Sequence, residues 1–148
     1  MNFAFQIDAH AAPAKVQRIT GAVVGPVAVF LRAEALVELF LAVMAYRSVG
    51  GTWTHFAALF LAPDLSMLGY LINRRVGAWL YNLGHTYLAP ALLGATGFVT
   101  GTPVLYSMSL IWAAHIAFDR LAGYGLKYSI AFGATHLGGK GAAAEVAP

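Results

Sequence analysis

Apolar residues in this chain gather into four long blocks separated by short breaks rich in glycine or polar side chains. Residues 28–46, 53–72, 77–99 and 103–121 each approach the roughly 20 largely apolar positions that a helix needs to cross a bilayer core. The breaks are Ser48-Val49-Gly50-Gly51, Asn73-Arg74-Arg75 and Thr100-Gly101-Thr102-Pro103, ordinary points for a helix to stop or start. Connections this short make successive helices antiparallel neighbours. The pattern therefore predicts an all-α integral membrane bundle of four transmembrane helices, up-down-up-down. Residues 19–31 are also apolar, but Gly21, Gly25 and Pro26 interrupt them, which suits an interfacial segment or an extension of the first helix. The expected organisation is an N-terminal segment at 1–27, the helical domain at 28–122 and a C-terminal tail at 123–148. The tail is expected to be loosely ordered beyond His136.

Composition sharpens this picture. Charged residues make up only 10% of the chain and hydrophobic ones 59%, against about 25% charge in ordinary soluble domains. A surface in water would lack polar cover, whereas lipid as solvent removes the need for it. There are no cysteines, which excludes disulfides and thiolate chemistry. The net charge of +3 comes without any basic patch interleaved with aromatics, so nucleic acid is not an expected partner. The first residues do not read as a signal peptide, because a basic start is missing and Asp8 and His10 fall where an apolar run would begin. Insertion is then expected from the first helix itself.

Basic residues assign an orientation. With four spans, Lys15, Arg18, Arg74, Arg75, Arg120, Lys127 and Lys140 share one side and Arg47 alone marks the other. Both termini are expected in the cytoplasm. Tyr46, Trp53 and Tyr106 then fall near the outer interface, and Tyr124 and Tyr128 near the inner one.

Ionisable residues within spans cost about 2.5–3.5 kcal/mol each to insert, which makes them functional candidates. This chain carries Arg32, Glu34, Glu38, Asp64, His85, His115 and Asp119 in such positions. At about 1.5 Å of rise per residue, Glu34 and His115 lie roughly 9 Å from the cytoplasmic ends, Asp64 and His85 roughly 12 Å, and Glu38 roughly 15 Å. Carboxylates and imidazoles from all four helices thus occupy one layer. Glu34 and Glu38 are four apart, as are His115 and Asp119, and Tyr81 and Asn82 precede His85 by four and three, so each set shares a helix face. Pro63 is expected to kink the second helix just before Asp64. Two imidazoles and several carboxylates suit a divalent metal, zinc or iron, held by His85, His115, Asp119 and Asp64. A hydrogen-bonded structural network, with Arg32 or Arg120 neutralising an acid, accounts for the same residues. The spacing leaves both readings open.

The stretches Pro63-Asp-Leu-Ser-Met-Leu-Gly-Tyr70, Tyr81-Asn-Leu-Gly-His-Thr-Tyr87 and His115-Ile-Ala-Phe-Asp-Arg-Leu-Ala-Gly-Tyr-Gly-Leu-Lys-Tyr128 are long and specific. Together with Arg32-Ala-Glu34 and Thr135-His-Leu-Gly138 they resemble a family of small bacterial integral membrane proteins catalogued as a domain of unknown function, from about Leu31 to Gly138. The resemblance implies a four-helix architecture, a multi-pass place in the bacterial inner membrane, and Glu34, Asp64, Asn82, His85, His115 and Asp119 as the marked polar positions. It implies no activity.

Three functions fit. The first is a metal-dependent membrane hydrolase acting on a lipid ester or amide, with Asp64 or Glu34 taking a proton from metal-bound water. The second is a non-catalytic accessory subunit of a larger membrane complex, or a homo-oligomer, whose polar layer sets helix register. The third is a proton- or ion-coupled transport element, against which stand the apolar outer halves of the spans.

Overall fold

The computed structural model describes residues 22–139 except 24. Expectations placed on residues 1–21 and on Lys140 and beyond lie outside the described residues. The described chain is mostly helical: α1 (Pro26–Ser48), α2 (Trp53–Phe60), a 3₁₀ helix (Ala62–Leu71), α3 (Arg74–Gly84), α4 (Leu88–Val99) and α5 (Pro103–Ala122). A short antiparallel pair follows, β1 (Ala134–Thr135) and β2 (Gly138–Gly139).

Local chemistry sets most boundaries. Proline opens both α1 and α5, where its missing N–H costs nothing. Thr52 caps α2 by accepting from the His55 amide, and the Asn73 side chain caps α3 by accepting from the Val76 amide at 2.9 Å. Gly123, at φ 84°, ends α5 in the left-handed conformation, and the Tyr124 amide bonds back to the Asp119 carbonyl at 2.7 Å.

Two of the four expected spans are not continuous helices. The second divides at Leu61 into α2 and the 3₁₀ helix, where Pro63 cannot donate to the α ladder. The third divides at residues 85–87 into α3 and α4. Among the described residues no helix is long and apolar enough to cross a membrane. The middle spans are cut into pieces, and α1, with 23 residues, carries Arg32, Glu34, Glu38 and Arg47.

The 3₁₀ helix repeats every three residues, so it has three distinct faces. Pro63, Ser66 and Gly69 pack on α3, where a Cβ on Gly69 would come within 2.7 Å of Leu80 and one on Gly77 within 2.3 Å of the Tyr70 ring. Leu65, Leu68 and Leu71 are exposed. Asp64 occupies the third.

Helix α5 is the centre, packed on α1, α2 and α4. Its contacts are built from small residues: Ala35 and Ala42 of α1, Ala114 and Ala117 of α5, Gly94 and Gly97 of α4. A Cβ on Gly94 would lie 2.7 Å from the Ser109 hydroxyl, so glycine permits that approach. Large apolar side chains lie outside instead, among them Phe30, Phe40, Trp79, Phe98 and Val99.

The segment expected to be loosely ordered beyond His136 is folded through residue 139. Leu137 is buried, Gly138–Gly139 pairs with Ala134–Thr135, and His136 exchanges hydrogen bonds with Leu126 and accepts one from the Val23 amide at its carbonyl. Its backbone polar groups find partners in the hairpin, which glycine at 138 (φ 115°) lets turn. Asn82 clamps the segment that bridges to this hairpin, Lys127 opposite Thr135, onto α3: its amide donates to the Lys127 carbonyl at 2.9 Å and accepts from the Lys127 amide at 2.7 Å.

Candidate metal centre

The breaks in the two middle spans are where the site forms. Asp64 follows Pro63 at the start of the 3₁₀ helix, and His85 is the C-terminal cap of α3. His115 and Asp119 lie one turn apart on α5. Their ligand atoms all lie within 4.8 Å of one another.

The two imidazoles face each other, Nε2 to Nε2, at 3.2 Å. From Asp64 Oδ1 it is 3.4 Å to His85 Nε2 and 3.6 Å to His115 Nε2. From Asp119 Oδ2 the corresponding distances are 3.6 and 3.9 Å. A tetrahedral ion with bonds of about 2.0–2.1 Å separates its ligands by about 3.3–3.4 Å. The five edges that involve an imidazole, 3.2–3.9 Å, bracket that value, and all four ligand atoms lie within 4.8 Å, so the group could hold a metal ion.

Surrounding contacts orient the donors. His85 Nδ1 lies 2.9 Å from the Tyr81 carbonyl, which can only accept, so that nitrogen carries the proton and Nε2 presents its lone pair in the neutral ring. This is the usual way a protein fixes a ligating histidine. The Tyr81 ring stacks on His85 with centroids 3.7 Å apart, and its hydroxyl donates to Asp119 Oδ2 at 3.0 Å. One tyrosine thus positions donors from two helices. Phe60 meets the His115 ring edge-on at 5.3 Å. Buried His115 Nδ1 has no hydrogen-bond partner among the described residues. Two imidazole nitrogens pointed at each other and at two carboxylates satisfy few hydrogen bonds, whereas a cation between them satisfies all four donors at once.

The four residues proposed as metal ligands therefore come together, and Asp64 is the more open of the two acids, with its side chain 32% exposed against 16% for Asp119. Glu34, the other candidate proton acceptor, is exposed on α1 and is not part of the group. Glu38 is also outside it and accepts from the Tyr87 hydroxyl at 2.5 Å. Among the described residues neither Arg32 nor Arg120 pairs with a carboxylate. Arg120 instead lies over the Tyr87 ring at 4.4 Å, and the Arg32 guanidinium rests against Gly123.

Sequence reasoning treated Lys127 only as an orienting charge. It is buried, its amino group 4.3 Å from the Tyr81 ring and 3.4 Å from that of Phe132. Burial lowers its pKa, and the charges of Asp119 and Asp64 work against that shift. No sequence spacing connects Lys127 to α3; the link is made by Asn82 across the fold.

The family model described as "Domain of unknown function (DUF4260)" matches residues 28–139. No curated protein and no solved structure matches the chain.

Proposed function

The chain belongs to the DUF4260 family, and we propose that it is a membrane-embedded, metal-dependent hydrolase acting on a lipid-like ester or amide. The observation that carries this reading is the convergence of one donor atom each from Asp64, His85, His115 and Asp119 within 4.8 Å of one another. The metal would be zinc or iron, both suited to imidazole and carboxylate donors. His85, His115 and Asp119 would hold it. Asp64, the more open acid, would leave the fourth position to water and accept its proton. A bound metal supplies that chemistry by lowering the pKa of its water towards about 7.

Embedding is supported by the distribution of side chains. Besides a core that includes Tyr46, Tyr81, Ile111 and Ile116, many large apolar side chains, such as Phe30, Phe40, Leu71, Phe98 and Val99, are exposed, more than a surface facing water favours. Lipid would cover such a surface, with the basic ends in the cytoplasm. An open apolar groove of about 500 Å³ runs beside the site, between Pro63, Ser66, Leu80, Leu83 and Trp112, and suits an acyl chain.

A second reading rests on the same geometry. Four protein ligands fill a tetrahedral ion, which is the mark of structural sites, and an accessory subunit of a membrane complex needs no more than that.

The test begins with metal content by mass spectrometry on detergent-purified protein and on a His85→Ala/His115→Ala variant. The expected result is close to one metal per chain, lost in the variant. Well-folded protein that neither retains nor takes up metal would sink both readings. With metal shown, hydrolysis of lipid esters by the wild type and its loss in Asp64→Asn separates the enzyme from the structural site.

A further inference from the structure

A buried cation lies beside the candidate metal centre. The Lys127 side chain is buried, and its ammonium faces three aromatic rings, with Phe132 at 3.4 Å, Tyr81 at 4.3 Å and Tyr70 at 5.3 Å from the ring centres. All three lie within the roughly 6 Å over which a ring attracts a cation, so this cage favours the charged form of the side chain. The ammonium is not what places the segment, because Asn82 already holds the Lys127 main chain by two hydrogen bonds.

Tyr81 connects that charge to the centre. His85 stacks on one face of the Tyr81 ring, with centroids 3.7 Å apart and planes at 12°. The ammonium therefore takes the other face, and one aromatic ring separates it from the imidazole. The Tyr81 hydroxyl donates to Asp119 Oδ2 at 3.0 Å, and the charges of Asp119 and Asp64 reach Lys127. At an effective dielectric of about 20, unit charges roughly 8 Å apart still change an equilibrium constant by more than about tenfold.

With both imidazoles neutral and Asp64 and Asp119 ionised, a divalent ion brings the group of four to neutrality, and Lys127 leaves a surplus of one positive charge. Arg120 does not add to it: the guanidinium lies over the Tyr87 ring, whose hydroxyl is bonded to Glu38, so Glu38 offsets that charge. On the reading above of a metal held with one position left open, we infer that the loaded centre takes one carboxylate anion and that Lys127 is the positioning residue that favours it. A buried net charge calls for a counter-ion. A carboxylate is the monoanion that cleavage of an ester or amide releases, and the apolar groove lined by Pro63, Ser66 and Trp112 gives its attached chain a place beside the centre.

The test loads the full chain in detergent with cobalt(II), whose visible spectrum reports its ligands, and titrates acetate at constant ionic strength. Acetate is expected to change the wild-type spectrum saturably. Lys127→Met should bind acetate about tenfold more weakly and cobalt about tenfold more tightly, since the lost ammonium attracted the anion and repelled the metal. Lys127→Arg should stay close to wild type in both. A lysine that only braced the fold would give the opposite sign for cobalt, because a loosened site holds metal less well. Lys127→Gln repeats the measurement with a second uncharged side chain, and thermal unfolding of the apo forms controls for the fold. A spectrum indifferent to acetate, acetate affinity that does not fall in the uncharged variants, or cobalt affinity that does not rise would overturn the inference and leave the metal reading standing. Well-folded protein that takes up no cobalt would overturn both.

Discussion

Replacing Tyr81 by phenylalanine removes one oxygen and tests whether the four donors form a tuned metal centre. The ring remains, so its 3.7 Å stack on His85 is kept, as is the main-chain carbonyl that accepts from His85 Nδ1. What is lost is the hydroxyl that donates to Asp119 Oδ2 at 3.0 Å. A hydrogen bond to a charged acceptor contributes about 1.5–3 kcal/mol, which corresponds to about 10- to 150-fold in an equilibrium constant. Loss of an outer contact to a metal ligand typically costs about 10- to 100-fold in affinity, so two independent arguments agree on the scale. The assay is competition for zinc between the purified protein and a chromophoric chelator, with thermal unfolding of the apo forms as a control on the fold. Tyr81→Phe should bind roughly ten- to a hundredfold more weakly, and His85→Ala not measurably. A Tyr81→Phe protein within about twofold of wild type would refute the claim that this hydroxyl orients a ligand.

Two further expectations concern the hairpin. Asn82→Ala deletes both bonds to the Lys127 main chain and should destabilise the segment by about 1–3 kcal/mol. Hydrogen exchange across residues 124–139 should then accelerate while that of α5 stays unchanged. Acid should loosen the same segment. Burial, then the nearby charge of Arg120, lowers the pKa of His136 below its ordinary 6.5, and its Nδ1 accepts from the Leu126 amide at 2.8 Å. The unfolded segment then binds the proton more readily than the folded one, so stability is full above about pH 6.5 and falls as pH drops below it. Exchange of the Leu126 amide should quicken over that window, and His136→Gln, which keeps an acceptor without titrating, should flatten the response.

What the sequence determined by itself was the helical class of the structure and which ionisable residues stand out in it. Long apolar blocks with glycine and proline breaks dictate helices, and the start of α5 at Pro103 and its stop at Gly123 were visible in the residues, whereas α1, expected from residue 28, begins at Pro26. His85, His115, Asp64 and Asp119 stood out because ionisable groups in apolar runs are costly to bury. The same argument also drew in Glu34 and Glu38, because depth along a helix is a one-dimensional measure. Which way a side chain turns depends on the packing partner, and α1 meets α5 through Ala35 and Ala42, which leaves its glutamates outside.

Tertiary structure decided the rest. Residues 62–71 were read as α-helix although Pro63-Asp-Leu, Ser66-Met-Leu and Gly69-Tyr-Leu repeat with a period of three, which was the available signal of a 3₁₀ helix. That conformation lets Gly69 and Gly77 bring the segment close to α3. The break after Gly84 places His85 at a helix end, where its imidazole can meet that of His115. Lys127 and Asn82 lie 45 residues apart and meet only because the hairpin folds back on α3. Periodicity reports which residues share a face of one element, but a site is made between elements, and the contacts that bring elements together come from chain far away in sequence.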